Sequence, residues 1–386
     1  MNFKINFLLL LVVLVGVFSC SPKGDGSVSE VIINGHKMYV SALNNINPNP
    51  ITLSLSKLVE ECTLVQLETN DDIMVGPGLT TITNNYIGII QSRKPYLLFD
   101  RSGKYLYKVG SVGQGPGEYT GTICDDIIDE KNGLIYFSPF IGDKINVYKT
   151  SGEFVKYINL PMTVYKAIIF LYDNILTVLY EPSKGNESIA YQYDINTGEM
   201  VAELAVPSQL ISSQNIGGEM MKARNTSIVF DFSLLHISDT LYHFDVKNIK
   251  ILPFFSISDN TTEGILKGYC QLNKELCLTF LYSRDQPTRT IASDLKNKSS
   301  GFVNIVNDYY GNLPISANVS TFRNGYFVQN VQPEQLIDDI NKRLGESSCT
   351  EKDKLALSQL LSTLEENTNN VIFIGKLKNE VKGKLW

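Results

Sequence analysis

The sequence predicts an all-β fold: a six-bladed β-propeller of four-stranded antiparallel blades, with a helical insert in the last blade. Three observations predict it. The composition favours strands and turns, a strand–turn–strand unit returns about every 45–50 residues, and one stretch near the end switches to helical periodicity. The chain has 386 residues, 43% hydrophobic and 19% charged, enough apolar surface for a large core and too much for a disordered chain. Its 20 Tyr, 18 Phe and 28 Gly suit strands and tight turns. The net charge of −6 speaks against a nucleic-acid partner, since phosphate binding rests on clustered Lys and Arg. Three histidines leave little room for His-based metal chemistry.

In chain order, the first element is an address. Lys4 is the only charge before the apolar run from Ile5 to Phe18, which Ser19-Cys20 follows. A membrane span needs about 20 residues, so the run fits a signal-peptide core instead. Val17-Phe18-Ser19-Cys20 resembles a lipobox, although Phe18 is bulkier than usual there. The expectation is a signal peptide over 1–19, lipid attachment at Cys20, a tether and N-terminal segment over 20–50, and the propeller over 51–386. Ser21–Ser29, with Pro22, Gly24 and Gly26, reads as tether. No second long apolar run follows, so acyl chains would be the link to the lipid bilayer.

The repeat is clearest at Tyr96-Leu97-Leu98-Phe99-Asp100-Arg101-Ser102-Gly103-Lys104. It returns as Ile145–Glu153, as Tyr191–Asp194 with Gly198, as His243–Asp245 with Asn248, and as Ile291–Asp294 with Asn297. The residues entering each turn are 100, 149, 194, 245 and 294, spaced by 49, 45, 51 and 49. Asp at turn entry bonds backbone further on, and Gly or Asn three or four residues later accepts positive φ. Two earlier strands precede each unit, such as Gly78–Thr83 and Tyr86–Gln91, giving four per period. A sixth turn is due near 343, but residues 332–367 are helical. Pro333 opens a helix with Leu336, Ile337, Ile340 and Leu344 on one face and Gly345 at its end. Thr350 and Asp353 form a capping box for a second helix. Strand character resumes at Val371–Leu377. The sixth blade then lacks a fourth strand, and the orphan Cys62–Glu68 is placed to supply it, closing the ring and hiding an edge.

Cys62, Cys124, Cys270, Cys277 and Cys349 form no disulfide framework. A two-residue turn at Asn273-Lys274 would set Cys270 opposite Cys277 in a hydrogen-bonded pair, about 5.5 Å apart at Cα. A bridge there is the lesser alternative.

Leu55–Val59, Leu64–Thr69, Leu98-Phe99-Asp100 with Gly103-Lys104, and Gly113-Gln114-Gly115-Pro116-Gly117-Glu118-Tyr119 together resemble the six-bladed propeller lipoproteins of Bacteroidetes, which are similar to NHL-repeat propellers. Asp239–Tyr242, Asn307-Asp308 and Asn370–Lys378 extend the resemblance to nearly the whole mature chain. It departs most in blade three and around Gly217–Arg224. The resemblance implies export, a lipid anchor and a propeller, and no single shared activity. Ser21–Asp25 lacks the acidic run that accompanies surface export in that group, which implies an outer-membrane lipoprotein on the periplasmic side. Asp239-Thr240-Leu241 resembles the group's short O-glycosylation motif, though a plain strand start is the better reading.

No cofactor is expected. The glycines of 113–117 alternate around Pro116 with no helix following, unlike a nucleotide loop, and read as a tight crossover between blades. Asp125, Asp126 and Asp129 with Asn132-Gly133 invite calcium, but miss the EF-hand spacing; Asn132-Gly133 is better read as a hairpin turn. His236 and His243 read as structural or surface residues, and no common hydrolase signature is present. The expected function is therefore a binding or scaffold module for an envelope protein, peptide or glycan. A metal-dependent hydrolase or lyase, lactonase-like or polysaccharide-lyase-like, with its site at the channel mouth, is the alternative. In antiparallel blades the strand 2–3 loops and the blade-to-blade crossovers share one rim. That rim gathers Arg93, Gln114, Glu118, Tyr119 and Arg284 with the helical insert, which could overhang the Gly-rich loop, and these are the candidate ligand contacts. Lipidation is tested first: Cys20→Ala leaves the protein soluble or unprocessed in membrane fractionation, and a fully processed, membrane-bound variant would refute it.

Overall fold

A computed structural model describes residues 26–385 except 71–72, 182–186, 208–209, 211–219, 226–228, 236–237, 260–264 and 381–384, so Cys20, the signal segment and His236 lie outside the described residues. The N-terminal strands are β1 (Val28–Ile33), β2 (His36–Ala42), β3 (Ile51–Ser54) and β4 (Thr63–Gln66). Blade one is β5 (Gly78–Ile82), β6 (Tyr86–Gln91), β7 (Tyr96–Asp100) and β8 (Tyr105–Val109). Blade two is β9 (Ile123–Asp129), β10 (Leu134–Pro139), β11 (Ile141–Lys149) and β12 (Phe154–Tyr165). Blade three is β13 (Ile168–Tyr172), β14 (Ile175–Leu179), β15 (Ser188–Asp194) and β16 (Met200–Ala205). Blade four is β17 (Met220–Lys222), β18 (Phe230–Leu234), β19 (Leu241–Asp245) and β20 (Lys250–Ser258). Blade five is β21 (Leu266–Gln271), β22 (Leu276–Tyr282), β23 (Arg289–Asp294) and β24 (Ser299–Asn307), with the short β25 (Leu313–Pro314). Blade six is β26 (Phe322–Arg323), β27 (Tyr326–Val331), helices α1 (Pro333–Leu344) and α2 (Glu351–Leu361), and β28 (Val371–Lys376).

The orphan strand closes the ring. β4 pairs antiparallel with β28, Gln66 opposite Val371 and Thr63 opposite Ile374, as the outermost strand of blade six. The N-terminal segment does more than the sequence suggested. β1 and β2 form a hairpin that adds to the outer edge of blade four, β2 running parallel to β20, and β3 pairs parallel with β24 of blade five. Strand β1 begins inside the stretch read as tether, where the Ser27 hydroxyl accepts from Ser300 N at 2.6 Å.

Apolar side chains fill the spaces between neighbouring blades. Ile127, Tyr136 and Ile158 of blade two meet Ile169, Val178 and Tyr191 of blade three. Phe170 and Leu179 meet Phe232 and Phe244, and the pattern continues to Ile372 and Ile374 of blade six against Ile87, Ile89 and Phe99 of blade one. Each such side chain contributes about 1.5–3 kcal/mol on burial, so the stability of the ring is spread over all its interfaces.

The turn residues act as expected, with one shift. Asp100, Asp194, Asp245 and Asp294 accept backbone N–H bonds from two or three residues ahead. Gly103, Gly152 and Gly198 take positive φ. Asn248 and Asn297 do not; their amides bond back to Asp245 and Asp294 at 2.7 and 2.8 Å, and positive φ falls on Ile249 and Lys298. The Cys270–Cys277 hairpin also differs: Leu272 N donates to Leu276 O, so Gln271 faces Cys277 and Cys270 faces Leu278. The extra loop residue sends the two thiols to opposite faces of the sheet, and both are free.

Helix α1 begins at Pro333 and α2 carries the Thr350/Asp353 capping box. The insert leans on blade five and is not seated over the Gly-rich loop. Arg343 Nε donates to Gly311 O, Asn312 donates to Asp353, and Leu336, Ile340 and Leu357 join the core with Leu313 and Ile315. Lys298, held at φ +54, yields the test of the turn analysis. A left-handed conformation costs a non-glycine residue roughly 1–2 kcal/mol, partly offset by the greater unfolded-state freedom of glycine. Lys298→Gly is therefore expected to raise stability in urea denaturation, by about 0.5–1 kcal/mol.

Candidate functional site

The innermost strands of a propeller line its channel, and here they carry charge within apolar runs. Asp125 and Asp126 lie in β9, Lys222 ends β17, and Arg323 ends β26; all four side chains are almost wholly buried. Lys222 Nζ bonds the Asp125 carboxylate and also donates to Ile169 O at 3.0 Å. Arg323 Nη2 lies 3.4 Å from Asp125 Oδ1 and 3.5 Å from Asp126 Oδ1. Asp126 also accepts from the Thr81 hydroxyl at 2.6 Å and the Tyr96 hydroxyl at 2.7 Å. Next to them, Asp231 accepts from Arg224 N at 2.7 Å and from Gln271 N at 3.3 Å. Three acids and three cations thus share the axis.

Burial sets their electrostatics. It pushes Asp231 up to about 6, against the backbone N–H bonds that favour its charged form. It pushes Lys222 well below the usual amine range, helped by the like charges of Arg224 and Arg323, and lowers Arg224 to about 9. The negative charge of Asp231 opposes the shift on Lys222. Asp125 and Asp126 are engaged by Lys222 and Arg323, and Asp129 lies apart, accepting from the Asn132 amide at 2.6 Å. Asp125, Asp126 and Asp129 therefore do not form the single cation cradle weighed from sequence. Among the described residues, no group of three or more His, Cys, Asp or Glu is arranged to hold a metal.

Three cavities are lined by described residues. One of about 910 Å³ is bounded by Pro48, Pro287, Phe302 and Asn304 and by Arg343 and Ser348 from the insert. One of about 740 Å³ holds His243, Gln271 and Asn273. One of about 490 Å³ sits at the channel mouth, on the rim of the strand 1–2 turns, between Thr83, Asn84, Glu130, Arg224, Asn324 and Tyr326. His243 stacks on Phe254 at 3.9 Å between centroids, and burial lowers its pKa to about 4. Burial thus favours its neutral form, with Nε2 2.7 Å from Gln271 Oε1.

Of the candidates chosen from sequence, two are absorbed by the crossover. Glu118 accepts from Gly115 N at 2.7 Å and from the Ser111 hydroxyl at 3.1 Å, bonds that hold its carboxylate below the usual range. Tyr119 is buried; its hydroxyl accepts from Tyr96 N and donates to Val109 O. The glycines are needed for close approach: a Cβ on Gly113 would lie 2.0 Å from Glu118, and Gly117, at φ +75, faces the Phe154 ring. Arg93, Gln114 and Arg284 are exposed, in loops of blades one and five. In the proposed glycosylation motif, Leu241 is buried and Asp239 pairs with Lys267 at 2.7 Å.

A family model described as "Domain of unknown function (DUF4934)" matches residues 38–376, from within β2 to the end of β28. The chain belongs to the DUF4934 family. Two solved structures are similar to this DUF4934 propeller. The first is a protein from Bacteroides fragilis NCTC 9343, inferred to be exported; it has TM-score 0.59 and 17% identity, with 86% of this chain and 100% of that one covered. The second is a member of the DUF4221 family from Bacteroides vulgatus ATCC 8482, with TM-score 0.48 and 12% identity, covering 84% and 98%. At these identities the likeness concerns the fold. No curated protein matches the sequence.

Sequence reasoning found Asp125 and Asp126 but missed Lys222, Arg224, Asp231 and Arg323, the partners that explain them. The available signal was a charge beside an apolar strand at each inner position, as at Phe322-Arg323. Removing one partner of a buried ion pair costs about 3–5 kcal/mol, because the other charge is left uncompensated. Asp125→Asn in the DUF4934 propeller is accordingly expected to lose about that much in urea denaturation. The double variant with Lys222→Met should recover part of the loss, and additive losses would show that the two side chains are not coupled.

Proposed function

We propose that this DUF4934 propeller is an exported, lipid-anchored binding or scaffold module for an envelope protein, peptide or glycan, held on the periplasmic side of the outer membrane. The observation that carries this reading is the cavity of about 910 Å³ beside blade five, one wall of which is built by the helical insert. The insert is the chain's main departure from the repeat, and function collects on such additions to a rigid scaffold. The exposed Arg284 lies three residues before Pro287, which with Thr288 and Arg289 belongs to the cavity wall, and this chain proximity supports Arg284 as a contact. The compensated charges on the axis favour binding over metal-dependent hydrolysis or lysis, since the acids such chemistry would use already hold cationic side chains. Export and lipid anchoring rest on the segment ending at Cys20, and the inferred export of the Bacteroides fragilis neighbour agrees.

The test is a pull-down from native envelope with charge reversals on opposite rims. Arg284→Glu should lower capture of the partner at least fivefold, and Arg93→Glu on the same rim should lower it less. Lys131→Glu, in a strand 1–2 turn on the other rim, should leave it unchanged. Loss of capture with Lys131→Glu alone, with all three variants folded, would overturn the assignment.

A further inference from the structure

The smaller cavity at the opposite mouth has a chemistry of its own. It lies on the channel axis, and five of the six blades line it, with Arg224 and Asn324 among its walls. Arg224 has five N–H groups. Its Nε donates to Asn324 Oδ1 at 2.9 Å, Nη1 to Ile169 O at 3.2 Å and Nη2 to Asp126 O at 3.3 Å, which leaves two N–H groups beyond these bonds. Asn324 spends its oxygen on Arg224, while its Nδ2 is buried with no hydrogen-bond partner among the described residues. An unpaired buried amide costs about 1–3 kcal/mol, so a site retaining one is short of an acceptor.

The backbone holds these donors in place. Arg224 sits at φ +55, unusual for a side chain of its size, and Asn324 N donates to Ala223 O at 2.7 Å across the mouth. Gly325 N donates to Asn225 Oδ1 at 2.9 Å, and Asn225 in turn donates to Gln271 O and Phe322 O. Blades four, five and six thus brace one short segment. Above the donors, Leu171 and Phe230 supply apolar wall, and Asp129 and Glu130 supply negative charge. Glu130 is itself fixed by Asn85, whose N and Nδ2 donate to it at 2.7 and 2.9 Å.

We infer that this cavity binds the carboxylate of an amino acid or of a short peptide's C-terminus, with Arg224 and Asn324 Nδ2 donating to it and the amine end facing Asp129 and Glu130. An acceptor-only group fits a base made of donors, and Arg presents the planar pair of N–H groups that a carboxylate matches. A volume of about 490 Å³ suits one to three residues and excludes a folded partner. The site lies on the other rim from the blade-five cavity and stands or falls separately from it.

Calorimetry on the unacylated mature chain, residues 20–386, tests the inference; the strands of the described residues all lie between Val28 and Lys376, so the six blades are contained in it. The probes are the twenty free amino acids, di- and trialanine, and the C-terminal amides of the same peptides. At least one free carboxylate should bind, and its amide at least tenfold more weakly. Tighter binding of the peptides than of the amino acids would assign the site to chain ends, and the reverse to free amino acids. Asn324→Asp keeps the acceptor for Arg224 and the turn, but replaces the free donor by negative charge; it should weaken binding at least tenfold with thermal unfolding little changed. Failure of every probe, equal binding of acid and amide, or an unaffected Asn324→Asp variant would overturn it.

Discussion

The charge-compensated network on the axis is the contact that all six blades share. Blade one supplies the hydroxyls of Thr81 and Tyr96, blade two Asp125 and Asp126, and blade three the backbone of Ile169. Blade four gives Lys222, Arg224 and Asp231, blade five the Gln271 N–H, and blade six Arg323 and Asn324. The interblade cores hold the blades together by non-directional burial of apolar surface. The axial bonds add direction, because each buried ion is costly to desolvate and is compensated only at hydrogen-bond distance. The network therefore sets the relative position of the blades, and through Arg224 and Asn324 it also shapes the channel mouth.

Ring closure works from the other direction. β4 completes blade six as its outermost strand, so the start of the chain is tied to its last blade and covers the edge that β28 would otherwise present. The outer edges of blades four and five are covered in turn by β2 and β3. Ser41 of β2 also ties the hairpin to blade five, its hydroxyl 2.8 Å from that of Ser300 in β24. The N-terminal 40 residues of the described chain thus form a belt over half the circumference.

What was legible in the sequence was local. Asp100 and Gly103 announce a turn because the residues that make it lie within four positions of one another, and Thr350/Asp353 announce a helix start for the same reason. The orphan strand at 62–68 was legible by counting, since five blades had four strands and one had three. The β1–β2 hairpin was not, because its pairing with β20 over more than 200 residues leaves no local mark. Nor was the network. Lys222 and Asp125 are 97 residues apart, and each alone looks like an ordinary charge. The Cys270–Cys277 register failed on a single residue of loop length, enough to turn a side chain to the other face. At the Asn248 and Asn297 turns the side-chain amides found a better partner in Asp than the backbone freedom they were expected to use.

The belt also fixes an order of events for a chain made from its N-terminus. β1 to β4 leave the ribosome first, yet their partners β20, β24 and β28 belong to the last three blades. Strand β4 waits for about 300 residues of chain before its edge is covered. Until then the growing molecule is an open arc with a sticky strand at its leading end, and no cooperative native state is available to it. The first-made segment therefore spends the whole of synthesis without its partners, and the ring becomes one closed unit only when its final strand arrives.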